Sequence, residues 1–258
     1  MAYSYTAFGN ITLPTYNRES DLSPVQAMTR FVQTAGGVFD ADGSGRSLRR
    51  YPHSLTIDAI VSESTAVAQR TALDALRAAV GLRTYLYRVA DNDGTIHRAV
   101  CRLAALTVMR SYSEHGYQPV TLQFQQLSAW EGSLHSYSWS LSSPSTKTVT
   151  VDGNLPVVDV IFTITAGAGA LTNPILTGGG MDVRYTGTIA IGNALVIDCG
   201  TLSVLNDGVD GYSGFTLGAN HVIEPWCELA PGETDLTLTV SGTTTGATWS
   251  VVFRDRWA

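Results

Sequence analysis

The sequence predicts a mainly β protein of two β-sandwich domains, with a single α-helix in the first. Three observations support this class. In residues 148–198, short alternating apolar stretches are separated by Gly, Asn and Pro roughly every ten residues, which is the spacing of antiparallel sandwich strands. The composition, 44% hydrophobic and 15% charged, is that of a globular chain. One segment alone, near residues 65–80, has helical periodicity.

The first domain is assigned to residues 1–147. It opens with a short strand and a loop within residues 7–22. Apolar and polar residues then alternate along 53–61, which indicates a strand with one buried face. Further β-rich runs are predicted at 82–89, 96–109 and 120–127. The run at 96–109 is long, so we expect it either to bend at a bulge or to extend towards a neighbouring subunit.

The predicted helix covers Thr65–Val80. Ser64 is its expected N-cap and Gly81 its expected stop. Its small and apolar side chains fall on one stripe, which predicts that the helix covers a sheet. The members of this stripe are Ala68, Ala72, Leu73, Leu76, Ala79 and Val80.

The second domain is assigned to residues 148–258. The segment before it, Ser128–Lys147, is rich in Ser, Trp, Tyr and Pro and is interpreted as the domain boundary, with a linker-like end. Eight short strands without a helix favour a jelly-roll or galectin-like sandwich. They are predicted at 148–151, 157–165, 182–189, 194–198, 201–205, 220–225, 236–240 and 248–255.

Charge is unevenly distributed in a chain whose formal net charge is −6. Residues 1–147 contain 13 basic and 11 acidic residues, whereas residues 148–258 contain 3 basic and 11 acidic ones. This contrast predicts that the two domains face different neighbours. The three cysteines are far apart and are interpreted as small buried or half-buried hydrophobes, which fits synthesis in a reducing compartment. The first ten residues lack a basic stretch followed by an apolar core, and no apolar run approaches the roughly 20 residues that a membrane helix needs, so we expect neither a signal peptide nor a membrane span.

The sequence segments that partly match motifs for metal or phosphate binding lack the residues that define those motifs, and no catalytic motif is present. The calcium-loop rhythm that starts at Asp40 has Tyr51 where a bidentate Glu belongs. The glycines 178–180 are followed by neither the Lys nor the helix of a phosphate loop, and are interpreted as a sandwich loop. The five histidines are scattered, without zinc spacing. With no nucleophile elbow and no close acid pair, we expect no catalysis, no cofactor and no metal.

Two groups of residues are candidates for binding. Arg46, Arg49 and Arg50 form a basic cluster that could contact an acidic neighbour or line a channel, although a solvated loop is the simpler interpretation. An acidic chain is a poor general DNA binder. Trp226 and Trp257 could stack on a sugar or contact a partner, whereas aromatic residues at strand spacing more often belong to a core.

An ordered series of turn and strand motifs resembles the distal tail proteins of siphophages. In the first domain these motifs are Gly36–Asp40 and Arg50–Pro52, followed by one helix and a long hairpin. In the second domain they are Asp152-Gly-Asn154, Asn173-Pro174, Tyr185-x-Gly187, Gly192-x-x-Leu195-x-Ile-Asp198 and Leu229-x-Pro-Gly232. Their order over the chain, rather than any single motif, carries the resemblance.

The resemblance implies a structural virion protein. It would form a homohexameric ring between the tail tube and the host-recognition tip of a long non-contractile tail, with a channel through which DNA passes without specific binding. The implied partners are the tail tube protein, a tail hub protein and other tail-tip proteins, and the long hairpin 96–109 is a candidate for contact between subunits. Two alternatives stay open: a carbohydrate-binding adhesin of the tail tip and a tail tube subunit.

Overall fold

The computed structural model describes residues 3–19, 31–34, 37–40, 53–90, 94–109, 117–223 and 226–257. The chain divides into two compact units, Met1–Gly132 and Ser133–Trp257. The predicted class is confirmed: the described residues are mainly β, with antiparallel sheets and one α-helix. Among the described residues, no helix is both long and apolar enough to span a membrane.

The first unit is built on one curled antiparallel sheet. Its strands are β1 (Tyr3–Phe8), β2 (Ile11–Thr12), β3 (Tyr16–Glu19), β4 (Phe31–Thr34), β5 (Gly37–Asp40), β6 (His53–Ser62), β7 (Arg83–Ala90), β8 (Ile96–Val108) and β9 (Tyr117–Gln126). The order across the sheet is β2-β1-β7-β8-β9-β6-β3, and β4 and β5 form a separate hairpin. Strand β6 confirms the alternation predicted for 53–61, since Leu55, Ile57, Ala59 and Val61 are buried.

The curled sheet brings its opposite ends together. The side chain of Asn17 on β3 accepts a hydrogen bond from the backbone N–H of Tyr5 on β1 (2.8 Å) and donates one to its carbonyl (2.7 Å). Phe8 and Phe124 meet edge to face inside, with ring centroids 5.1 Å apart. The amide of Asn17 thus satisfies backbone groups of β1 in the way that a neighbouring strand would.

The helix α1 spans Ala66–Ala78. The expected N-cap, Ser64, is wrong by one position: the Thr65 hydroxyl accepts the bond from the Ala68 N–H at 3.1 Å. Gly81 follows the helix with φ +90°, as the predicted stop requires. The predicted stripe faces inward except at Val80, which is 42% exposed because it lies beyond the last helical turn.

Strand β8 bends at a bulge, which is the first of the two outcomes expected for the long run. Its register with β9 shifts between Leu103 and Ala105. Its first part pairs with β7 and its last part with β9. The strand is therefore paired within its own unit along most of its length.

The chain divides into its two units after Gly132, which lies within the predicted boundary segment 128–147 but before the assigned end at Lys147. The linker-like end differs from the structure, because the segment contains β10 (Trp130–Ser140) and the start of β11 (Ser145–Val151). Tyr137 and Trp139 pack against the core of the second unit. Within the linker-like end, residues 140–147, Ser142 and Ser143 lie between β10 and β11, whereas Ser145 begins β11 and is only 3% exposed. The end of the segment is therefore a short connection between two strands.

The second unit is a sandwich of two antiparallel sheets. Its further strands are β12 (Ile161–Thr165), β13 (Leu171–Gly178), β14 (Met181–Tyr185), β15 (Thr188–Ile189), β16 (Ala194–Asp198), β17 (Ser203–Asn206), β18 (Val209–Asp210), β19 (Phe215–Leu217), β20 (Gly232–Gly242) and β21 (Thr248–Trp257). One sheet has the order β18-β17-β16-β12-β21-β10 and the other β11-β20-β13-β14-β19, with β15 beside β13.

Inward-facing side chains of both sheets form a single core, in which Trp249, Phe162 and Phe253 are at most 2% exposed. The glycines 178–180 confirm the predicted sandwich loop: Gly178 ends β13, Gly179 and Gly180 connect it to β14, and all three adopt positive φ. The strand predicted at 220–225 is wrong for residues 220–223, where the chain is irregular; the local strand is β19.

All three cysteines are buried and free, as predicted. Burial raises the pKa of the Cys101 thiol to about 12, despite the opposing effect of Arg88. Burial, followed by the sulfur of Cys199 beside it, raises the pKa of Cys227 well above its usual value. These thiols stay protonated near neutral pH, and it is the thiolate that reacts.

We therefore expect the native protein to resist a thiol-specific reagent such as DTNB at mildly alkaline pH. After unfolding in guanidinium chloride, three thiols per chain should react, which matches the cysteine count. Rapid labelling of the native chain would show that at least one of these sites opens readily.

Candidate functional site

The predicted binding residues fall into two groups in the structure. Arg46, Arg49 and Arg50 lie outside the described residues, as does most of the calcium-like segment from Asp40 to Tyr51. Trp226 is only 7% exposed, and its ring packs on Phe215 with centroids 4.1 Å apart. Trp257, at the end of β21, is half-buried. The structure does not bring the two tryptophans together in a described site.

Trp226 belongs to an aromatic cluster with Tyr212 and Phe215. Tyr212 lies 5.8 Å from Trp226 and 6.0 Å from Phe215, centroid to centroid. Tyr212 is 53% exposed and forms the outer edge of the cluster. The face of Trp226 is thus covered by the protein itself, and this placement argues against its use as a sugar-stacking platform.

An ion pair between the buried Asp182 and the partly exposed Arg184 holds the loop after β19. The carboxylate of Asp182 on β14, 1% exposed, accepts two hydrogen bonds from the Arg184 guanidinium, at 2.8 and 2.9 Å. It also accepts a longer one from the backbone N–H of Asn220, at 3.3 Å. A Cβ on Gly218 would lie 2.1 Å from this carboxylate, so the loop approaches closely. Hydrogen bonding from Arg184 is the main cause that lowers the pKa of Asp182, against the effect of burial.

We expect Asp182→Asn to lower the free energy of unfolding by about 1–3 kcal/mol near neutral pH, because it removes a charge-assisted bidentate pair. Since the folded-state pKa is lowered, the carboxylate's contribution is present above its usual value of 3.8 and is lost as the pH falls through the folded-state value. The difference from wild type should therefore shrink in acid. Urea unfolding at neutral and acidic pH measures it, with Asp207→Asn as an exposed control. A difference independent of pH would contradict the ion-pair account.

Three side chains that the sequence did not associate meet in the second unit: His135, Asp152 and Asp255. His135 Nε2 lies 2.6 Å from Asp255 Oδ2 and 3.8 Å from Asp152 Oδ2. The backbone N–H of Asp152 donates to Asp255 Oδ1 at 2.9 Å. Among the described residues, this is the group of three whose ligand atoms lie within 4.8 Å of one another.

The first unit carries a cleft of about 440 Å³ between β3, β6 and β9. Asp58 is the carboxylate in its lining, and its Oδ1 accepts a hydrogen bond from the Thr121 hydroxyl at 2.8 Å. The remaining lining is mostly apolar and includes Tyr16, Ile60 and Met109. Among the described lining residues, the cleft therefore combines one hydrogen-bonded carboxylate with mostly apolar side chains.

Comparisons with known proteins identify the architecture. No family model matches the sequence, and no curated protein matches it. The solved structure of the phage SPP1 Dit (gp 19.1) protein aligns over 100% of both chains, with a TM-score of 0.64 and 14% identity. The chain has the fold of SPP1 Dit. That protein is described as a paradigm of the hub adsorption apparatus in phages that infect Gram-positive bacteria.

Two structures of the phage P2 baseplate in its activated conformation also align. The one with Ca has a TM-score of 0.40 and 11% identity over 99% of this chain and 98% of the other. The one with Sr has a TM-score of 0.39 and 11% identity over 97% of each.

Proposed function

We propose that this chain is a structural subunit of a siphophage tail tip, a distal tail protein similar to SPP1 Dit. The observation that carries the proposal is the alignment over the full length of both chains at a TM-score of 0.64. Both units of the chain share in the likeness, so a single generic sandwich does not account for it. In this proposal the protein is a virion component, synthesised in the host cytoplasm.

The finer proposal is a homohexameric ring. Six copies would close through heterologous contacts and leave a channel for DNA, with the first unit forming the ring and the second, galectin-like unit projecting outward. The tail tube protein would bind one side of the ring, and hub and other tail-tip proteins the other. The acidic character of residues 148–258, with 3 basic against 11 acidic residues, supports a different set of neighbours for the second unit.

The ring would act through its geometry, without catalysis. Among the described residues, the cleft between β3, β6 and β9 has one carboxylate in its lining, which accepts a hydrogen bond from Thr121, and the Asp182 carboxylate pairs with Arg184. Acidic side chains held in this way stabilise the fold rather than move protons for a substrate. We also propose that the protein needs no cofactor for this role.

The two alternatives are less well supported. An adhesin that stacks sugars on Trp226 would need an accessible indole face, but Phe215 packs against this indole. A tube subunit needs only a ring-forming domain, and the complete sandwich of Ser133–Trp257 exceeds that need.

The mass of the full chain in solution, together with negative-stain images, tests the proposal. A particle of six subunits with a central hole is expected. A monomer at high protein concentration that fails to assemble when tail tube and hub proteins are added would overturn the ring. Glycan binding by that monomer would then favour the adhesin.

A further inference from the structure

We propose that His135, Asp152 and Asp255 form a binding site for a divalent transition metal ion, with Zn²⁺ as the best-fitting probe. One imidazole and two carboxylates are a ligand set that Zn²⁺ uses, with the fourth position left to water. The inference concerns the second unit alone, and it does not rest on the proposed tail function.

The geometry is close to that of a three-ligand site. At bond lengths of about 2.0–2.2 Å, tetrahedral ligand atoms lie roughly 3.3 Å apart. The observed separations from His135 Nε2 are 2.6 Å to Asp255 and 3.8 Å to Asp152. An opening of about 0.7 Å between His135 and Asp255, with a metal ion in place of their direct contact, would bring the pair to that value.

The ligands are held in place by their surroundings. Asp255 is 3% exposed, and its Oδ1 accepts the Asp152 N–H, which leaves Oδ2 directed at His135. The imidazole stacks on Phe253 at 5.1 Å and on Tyr137 at 6.0 Å, with interplanar angles of 22° and 7°. Fixed outer contacts of this kind orient metal ligands and strengthen binding.

The site is also accessible and negatively charged. The Asp152 side chain is 65% exposed, which provides an entry path, whereas His135 is 18% exposed. Both carboxylates lie within ion-pair distance of His135, at 3.8 Å for Asp152 and 2.6 Å for Asp255, while Arg256 pairs with Asp159. Two carboxylates that share a site need a positive partner, and a divalent ion matches their charge.

The ligand set favours a transition metal over Ca²⁺. Calcium takes 6–8 oxygen ligands, whereas imidazole suits Zn²⁺ and its neighbours in the first transition row. The three ligands come from β10, from the turn after β11 and from β21, so a bound ion would cross-link both ends of the sequence of this unit. We therefore expect the metal to stabilise the second unit.

Isothermal titration of the full chain, without a histidine tag and after treatment with a chelator, tests the proposal. ZnCl₂ should bind with one-to-one stoichiometry and raise the melting temperature, and CaCl₂ should do neither. Asp152→Asn, a change at an exposed position, should weaken Zn²⁺ binding by about tenfold or more. His135→Gln should weaken it further, and the matched surface change Asp207→Asn should leave it unchanged.

Cobalt provides a second readout that does not depend on stability. Co²⁺ in this site should give visible ligand-field absorption that Asp152→Asn alters and Asp207→Asn does not. The proposal is overturned if wild type does not bind Zn²⁺, or if it binds no more tightly than Asp152→Asn. If His135→Gln does not fold, Asp152→Asn still decides between these outcomes.

Discussion

Replacing Trp226 with alanine is expected to lower the free energy of unfolding of the second unit by about 3–5 kcal/mol. The ring is 7% exposed and lies 4.1 Å from Phe215 and 5.8 Å from Tyr212, centroid to centroid. Truncation would leave a large cavity between these rings, which the surrounding strands cannot fill without moving. Urea unfolding followed by near-ultraviolet circular dichroism measures the loss.

Trp257→Ala is the matched control, because this ring is half-buried at the end of β21. Its expected cost is smaller than that of Trp226→Ala. Equal stability of wild type and Trp226→Ala would mean that the aromatic cluster is not packed as described. The comparison also affects any glycan experiment, since binding lost in an unfolded Trp226 variant would not locate a sugar site.

Local sequence patterns correctly predicted those strands and helices whose buried residues recur at the period of the element itself. Strand β16 was predicted at its observed bounds, 194–198, because Leu195 and Ile197 face the core and its flanks are turns. The helix was predicted to within two residues at its C-terminal end, since its apolar stripe and Gly81 are both local signals. In these segments, local preference and tertiary structure agree.

Prediction failed where tertiary pairing overrides a local signal. Asn173-Pro174 indicates a turn, but Asn173 adopts φ 50° within β13, and the register with β20 shifts there. The strand continues through a bulge because β20 and β14 pair with it on both sides. Strand β10 was missed for a different reason, because its segment was interpreted from composition as a boundary. Its exposed serines alternate with Tyr137 and Trp139, which pack on the core.

The candidate metal site could not be predicted from the sequence, because its ligands are far apart along the chain. His135 and Asp255 are 120 positions apart, and Asp152 is 103 positions from Asp255. None of the three lies in a local ligand motif, and only the packing of β10, β21 and the turn after β11 brings them together. The absence of zinc spacing in the sequence is correct as an observation, but it does not bear on a site assembled from distant strands.

Gly153→Ala is expected to destabilise the second unit by about 3 kcal/mol. The sequence indicates a turn at Asp152-Gly-Asn154, which suggests that glycine is there for its backbone freedom. The structure gives a different reason: an added Cβ would lie 2.2 Å from the carbonyl oxygen and 2.7 Å from the nitrogen of Arg256. These are backbone atoms of β21, so the methyl group cannot be accommodated by rotating a side chain.

Gly211→Ala provides the comparison, because Gly211 has φ −108° and its added Cβ would meet neighbours at ordinary distances of 3.4–3.5 Å. Urea unfolding of both variants should show a large loss for Gly153→Ala and little change for Gly211→Ala. Because the Leu155 N–H donates to the Arg256 carbonyl at 3.1 Å, a shift at Gly153 would also separate Asp152 from Asp255. Equal stability of the two variants would show that the turn does not pack against β21, and the support for the Asp152 ligand would be lost with it.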